Sequence, residues 1–187
     1  MLTLKWFMGE KEPLVDAHDI RHEVFCIEQN CPQDEEFDYT DDECIHLVMY
    51  DDGLPVSTGR ILLADEYYKL GRIATIASHR KRGIATALIQ TLIGACVAMG
   101  GENARQLIHA QIAVQSFYEK LGFVAFGEEF EEAGIPHIAM ERFGHADSDC
   151  GGSQGCCGSG GRHHASGSVP ETHKGCGSHG CGGCGKG

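Results

Sequence analysis

The chain has 187 residues, 42% of them hydrophobic, and a formal net charge of −12. That length suffices for one well-buried domain and is short for two of ordinary size. The charge is uneven: residues 150–187 balance at +2 and the remainder carries −14, so the acidic body would repel phosphates. This argues against nucleic acid or an anionic membrane as main partner and favours a cationic one.

The opening "MLTLKWFMGEKEP" lacks the apolar run and small-residue cleavage site of a signal peptide. No apolar stretch reaches the length of about 18 residues that spans a bilayer. A cytoplasmic protein is expected, with Cys26, Cys31, Cys44 and Cys96 as reduced thiols used in packing.

Residues 15–25 read as a helix, with Ile20, Val24 and Phe25 on its apolar face. "NCPQDEEFDYTDDE" is an acidic loop, which either draws in a cationic amine or is simply solvated. "CIHLVMY", the turn "DDGLP" and "VSTGRILLA" make a hairpin, because Asp-Gly between β-rich runs favours a tight reversal. "LGRIATIA" is a further strand, and a helix over 83–97 carries Ala85, Leu88, Ile89, Leu92, Ile93 and Cys96 at helical spacing. "RQLIHAQ" is a strand, "AVQSFYEKLG" a short helix ended by Gly122, and "FVAFGE" and "HIAMERF" are closing strands. The mixed order predicts an α/β sandwich around a mixed sheet.

After Gly144 the composition changes to Gly, Cys, His and Ser. Without apolar side chains beyond cysteine, such a segment cannot offset its chain entropy by burial. The expected organisation is a domain over 1–144 and a disordered Cys/His/Gly-rich tail over 145–187. Cys176, His179, Cys181 and Cys184 fall within nine positions and offer donors that suit Zn or Cu(I). Their spacing is tighter than a standard zinc knuckle, and a flexible extension with incidental thiols is the competing reading.

The segment "HRKRGIATALIQ" combines a strand end, a basic loop and a helix start. The first N–H groups of a helix lack intrahelical acceptors and its dipole is positive there, so the junction is a ready anion site. Gly83 leaves the backbone approachable where a Cβ would obstruct. Arg80, Lys81 and Arg82 add positive charge.

Arg80-Lys81-Arg82-Gly83-Ile84-Ala85 resembles the Arg/Gln-x-x-Gly-x-Gly/Ala signature of the GNAT N-acetyltransferases. "FYEKLGF" is similar to that family's late helix and following strand. "IRHEVFCIEQNCP", "HAQ" and "GEEFEEAGIPHIAMER" resemble its ElaA-like branch. The resemblance covers residues 4–143 and implies the GNAT fold, a mixed, mostly antiparallel central sheet flanked by helices. It further implies an acetyl-CoA-dependent transfer of an acetyl group to a primary amine of a small molecule or protein. Arg80 to Thr86, including Ile84 and Ala85, would hold the pyrophosphate, and Ile73, Ala74, Thr75 and Ile76 would pair with the pantetheine arm. Ala85 stands where a second glycine is commoner, and the tail is foreign to that branch.

Amine acetylation needs a neutral nucleophile and a proton for the departing thiolate. Tyr118 matches the family's acid, and a tyrosine hydroxyl remains protonated at neutral pH. Glu28 resembles a carboxylate of the ElaA-like branch and is a candidate base, with His46 and His109 as alternatives. Arg21 and Arg72 read as ion-pair partners. The oligomeric state stays open, a homodimer included. The rival reading is a metal-handling or regulatory protein whose acetyltransferase-like domain binds coenzyme A without turnover.

Overall fold

The computed structural model describes residues 1–9, 14–37 and 39–144. The tail, with the metal ligands expected at Cys176, His179, Cys181 and Cys184, lies outside the described residues. The strands are β1 Leu2–Met8, β2 Cys44–Asp51, β3 Leu54–Leu63, β4 Tyr68–Thr75, β5 Arg105–Gln111, β6 Val124–Glu132 and β7 Ile135–Phe143. The α-helices are α1 Val15–Arg21, α2 Gln33–Glu36, α3 Ile84–Gly100 and α4 Gln115–Glu119. All seven strands join one sheet in the order β1-β2-β3-β4-β5-β7-β6. Every neighbouring pair is antiparallel except β4 and β5. A parallel pair needs a crossover, and α3 supplies it.

Both faces of the centre are covered. Gly59 of β3 lies so close to α3 that a Cβ there would meet Leu92 Cδ1 at 2.9 Å. The next residue, Arg60, reaches Asp41, which Arg21 of α1 also holds. Side chains alternate along a strand, so α3 and α1 sit on opposite faces. Leu88, Ile89 and Leu92 of α3 are fully buried against the sheet, each contributing about 1.5–3 kcal/mol through removal of apolar surface from water.

The Asp-Gly hairpin forms as expected, with Asp52 at φ 49° and Gly53 at φ 84°, the left-handed pair a two-residue turn requires. Three differences from the sequence reading matter for the site. The first helix does not stop at Phe25: α1 continues as a π-helix over His22–Glu28, and its wider turn is ended by Asn30 at φ 57°. The acidic loop is anchored, carrying α2 and the short 3₁₀ turn Asp41–Glu43. An edge strand, β1, precedes everything the sequence reading assigned.

Candidate active site

The parallel pair β4–β5 is short. Tyr68, Lys69 and Leu70 face Gln106, Leu107 and Ile108, and the pairing ends there. Beyond Leu70, β4 bulges: Arg72 has φ 52°, and the register with β3 shifts between Thr58 and Arg60. A bulge bends the strand and re-aims its side chains. β5 meanwhile stays paired with β7 along its whole length. The two strands therefore diverge, and a cleft of about 1110 Å³ opens between them. Its walls include Ile73, Ala74 and Thr75 of β4 and Ile108, His109 and Gln111 of β5.

The start of α3 borders this cleft through Gly83, Ile84, Ala85 and Thr86, joined by Arg80 and Lys81. Gly83 is the N-cap at φ 79° and no side chain caps the helix. Open space lies where a Cβ on Gly83 would stand. The first turn contains no acidic residue, so its unpaired N–H groups face the cleft with their dipole uncompensated. Thr75 is tied to the loop, its carbonyl accepting from Arg80 Nε at 2.9 Å.

Two expected members of this set lie elsewhere. Ile76 falls beyond the end of β4, and its N–H donates to the Val56 carbonyl at 3.0 Å. The Ile76 N–H, expected to be available to pantetheine, is thus used inside the fold. Arg82 turns its guanidinium to Asp51, Nη2 to Oδ2 at 2.9 Å, and does not line the cleft.

The candidate proton-transfer residues separate clearly. Tyr118 lines the cleft and is buried, and burial pushes its hydroxyl up to about 12. Among the described residues no group hydrogen-bonds that hydroxyl, yet no buried side-chain oxygen or nitrogen is without a partner. Its oxygen must therefore open onto the cleft. Glu28 is different. Its two oxygens accept from Arg80 Nη1 and Nη2 at 2.6 Å each, and it is not part of the cleft wall. The hydrogen bonds from Arg80 hold its carboxyl below the usual range, which weakens it as a base. His46 is fully buried with Nε2 on the Asp41 carbonyl at 3.0 Å, and burial lowers its basicity. It is a structural residue.

His109 does face the cleft, and it has a partner the sequence reading missed. Its Nδ1 lies 3.0 Å from Glu132 Oε2, and its ring stands edge-on to Phe130 at 4.9 Å. The hydrogen bond from His109 brings Glu132 down to about 2. Glu132 reaches this position because β6 and β7 close through Ala133 and Gly134, both left-handed, directly after it. Across the cleft, Gln111 donates to Gln29 Oε1 at 3.0 Å, joining β5 to the end of the π-helix.

Arg21 and Arg72 take the structural roles expected of them. Arg21, fully buried, donates to both oxygens of Asp41 and to Glu36, and Arg60 shares Asp41. Arg72 Nε lies 3.1 Å from Glu36 Oε2. Burial would raise Asp41, but hydrogen bonds from His18 and Arg60 and the charge of Arg21 hold it far below the ordinary carboxylate range. Burial of Glu36 wins in the other direction and raises it. This network fastens the acidic loop beside the cleft.

Cys44 and Cys96 are buried and Cys26 and Cys31 half-buried, all four as free thiols. Among the described residues, no group of three His, Cys, Asp or Glu side chains could hold a metal ion. No described helix is long and apolar enough to cross a membrane.

The N-acetyltransferase of Bacillus subtilis named YjcF, itself described as uncharacterized, is 40% identical over 131 residues, covering 70% of this chain and 92% of its own. Escherichia coli ElaA is 32% identical over 127 residues, covering 66% of this chain and 82% of its own. A crystal structure of an acyl-CoA N-acyltransferase from Pseudomonas aeruginosa matches with a TM-score of 0.70 and 27% identity, over 76% of this chain and 99% of that one. The family model of the acetyltransferase (GNAT) domain matches residues 14–142. With strands that part beside an uncapped helix start, and with these relatives, the chain belongs to the GNAT acetyltransferases, on their ElaA-like side.

Proposed function

We propose that this acetyltransferase takes its acetyl group from acetyl-CoA and passes it to a primary amine. The observation that carries the reading is the parting of β4 and β5 beside the bare N-terminus of α3. The N–H groups at Gly83, Ile84, Ala85 and Thr86 suit a pyrophosphate, with Arg80 and Lys81 adding charge. The main chain at Ile73, Ala74 and Thr75 suits the pantetheine amides, as an extended chain laid along an unpaired strand edge. The Pseudomonas structure is named for acyl-CoA-dependent transfer to nitrogen, which fits the same donor class.

In this reading the amine attacks the thioester carbonyl and the C–S bond breaks as the tetrahedral intermediate collapses. Tyr118 gives its proton to the leaving sulfur, a role supported by a hydroxyl that is protonated at neutral pH and has no partner among the described residues. Glu28, held by Arg80, orients that arginine at the edge of the phosphate loop and is not the base. Asp34 and Glu35 on the cleft wall favour an acceptor that arrives as an ammonium ion.

Calorimetry with acetyl-CoA, followed by thiol release across a panel of primary amines, tests the reading. The expected result is micromolar binding and amine-dependent release. Acetyl-CoA that fails to bind, or that binds identically when Gly83 is replaced by valine, overturns it.

A further inference from the structure

Two polar atoms of residues that line the cleft have no partner among the described residues: the Tyr118 hydroxyl and the Nε2 of His109. The side chain of His109 is 30% exposed, and its other nitrogen is occupied by Glu132. A carboxylate only accepts, so Nδ1 carries the hydrogen toward Glu132 and the neutral ring keeps its lone pair on Nε2. One atom is a donor and the other an acceptor, which are the two functions that acetylation of an ammonium ion requires.

Resting on the acetyltransferase reading above, we propose that His109, oriented by Glu132, removes the proton from the acceptor ammonium. The ammonium proton passes to Nε2 and from there to solvent. The free amine attacks, forming the N–C bond, and collapse breaks the C–S bond. Tyr118 protonates the sulfur, and the second proton leaving the nitrogen restores the Tyr118 hydroxyl. The sum is one amide, one CoA thiol and one proton released. The imidazolium formed in the first step gains from the Glu132 carboxylate beside it.

His109 is seated for this task by its strand. On β5 the residues Gln106, Ile108 and Ala110 are buried, while Leu107, His109 and Gln111 lie on the opposite, half-exposed face. Phe130 packs against the imidazole and separates it from His137, whose Nδ1 is taken up by the Ile135 carbonyl at 2.7 Å. The charged groups around the dyad are thus Glu132 from β6, His137 from β7 and Lys69 from β4, with Asp34 and Glu35 on the loop wall of the same cleft. The other two candidate bases lack a free atom on this cleft, Glu28 being held by Arg80 and His46 by the Asp41 carbonyl.

Long-range ¹H–¹⁵N spectra of the full chain with CoA bound test the arrangement without any acceptor. The neutral His109 ring, assigned by its loss in His109→Gln, is expected to carry its hydrogen on Nδ1. Glu132→Gln should raise the share of rings that carry it on Nε2. Hydrogen on Nε2 of the wild-type ring overturns the proposal. Kinetics then use the fastest of spermidine, lysine amide and glycylglycine as acceptor. His109→Gln should lower kcat about 100-fold at pH 7, with a residual rate that climbs with pH. Glu132→Gln should lose about 10-fold, by analogy with the partners that orient metal-bound imidazoles. Acetyl-CoA affinity should stay within twofold in both variants. A His109→Gln enzyme with wild-type kcat and pH profile overturns the dyad while leaving the acetyltransferase reading intact. Wild-type protein that does not bind acetyl-CoA defeats that reading itself.

Discussion

Two groups of polar side chains differ in saturation. Around Asp41, Arg21 and Arg60 occupy both carboxylate oxygens, His18 adds a third contact, and Arg72 secures Glu36. At His109 and Tyr118 one atom each has no partner among the described residues. A buried network that is complete holds the fold in one arrangement, whereas a polar atom facing a cavity with its partner withheld is available to a ligand. The first group should therefore answer to stability measurements and the second to kinetics.

The largest expected effect lies in the saturated group. Asp41→Asn leaves Arg21 and Arg60 buried without their shared counter-charge and should cost about 3–5 kcal/mol in urea unfolding at pH 7. Asp41 is held below its ordinary pKa in the folded chain, so its contribution is present above about pH 4 and is lost as pH falls through the folded value. The gap between wild type and variant should accordingly narrow below that pH. Glu36, raised by burial, works the other way: its contribution is present at low pH and is lost as pH rises through its raised value. Glu36→Gln removes a term of opposite sign and should therefore steepen the acid side of the profile, where Asp41→Asn flattens it.

Next comes Tyr118→Phe, which keeps the packed ring and removes only the hydroxyl. It should lower kcat about 100-fold, roughly 2.7 kcal/mol, with unchanged melting temperature and CoA affinity. A melting temperature that falls with kcat would move Tyr118 into the structural group. Gly83→Val forces a β-branched residue to a φ of 79° with open space around it. The strain of about 1–2 kcal/mol should appear as roughly tenfold weaker acetyl-CoA binding in calorimetry. The smallest effect is expected for Glu28→Gln. Both members of its pair with Arg80 are more than a third exposed, so solvent screening leaves it worth less than about 1 kcal/mol. The pH dependence of kcat should not change, and a lost rising limb there would restore Glu28 as the base.

The elements legible in the sequence were those whose cause is local. β5 spans the residues of "RQLIHAQ", the Asp-Gly hairpin forms, and the basic loop with its left-handed glycine opens α3. β1 was missed because its alternation is misleading: Leu2, Leu4, Trp6 and Met8 share one face and are all exposed, so no apolar-in, polar-out pattern marks a strand. The π-helix leaves no periodic trace over a single widened turn. Glu132 is one of four glutamates, with Glu128, Glu129 and Glu131, in a short stretch. Only the turn at Ala133 and Gly134, and a histidine 23 positions away, distinguish it. The pairing of Glu28 was hidden for the same reason, since its partner Arg80 is 52 positions distant.

Gly59 has no chemistry of its own, yet it sets the height at which α3 rides on β3. Because the helix is also the crossover, and brings its uncapped amides to the cleft, that height governs the gap width and the aim of those amides together. A methyl group added there would act as a wedge under a lever. Its effect would be felt at the mouth of the cleft, by a residue no ligand ever touches.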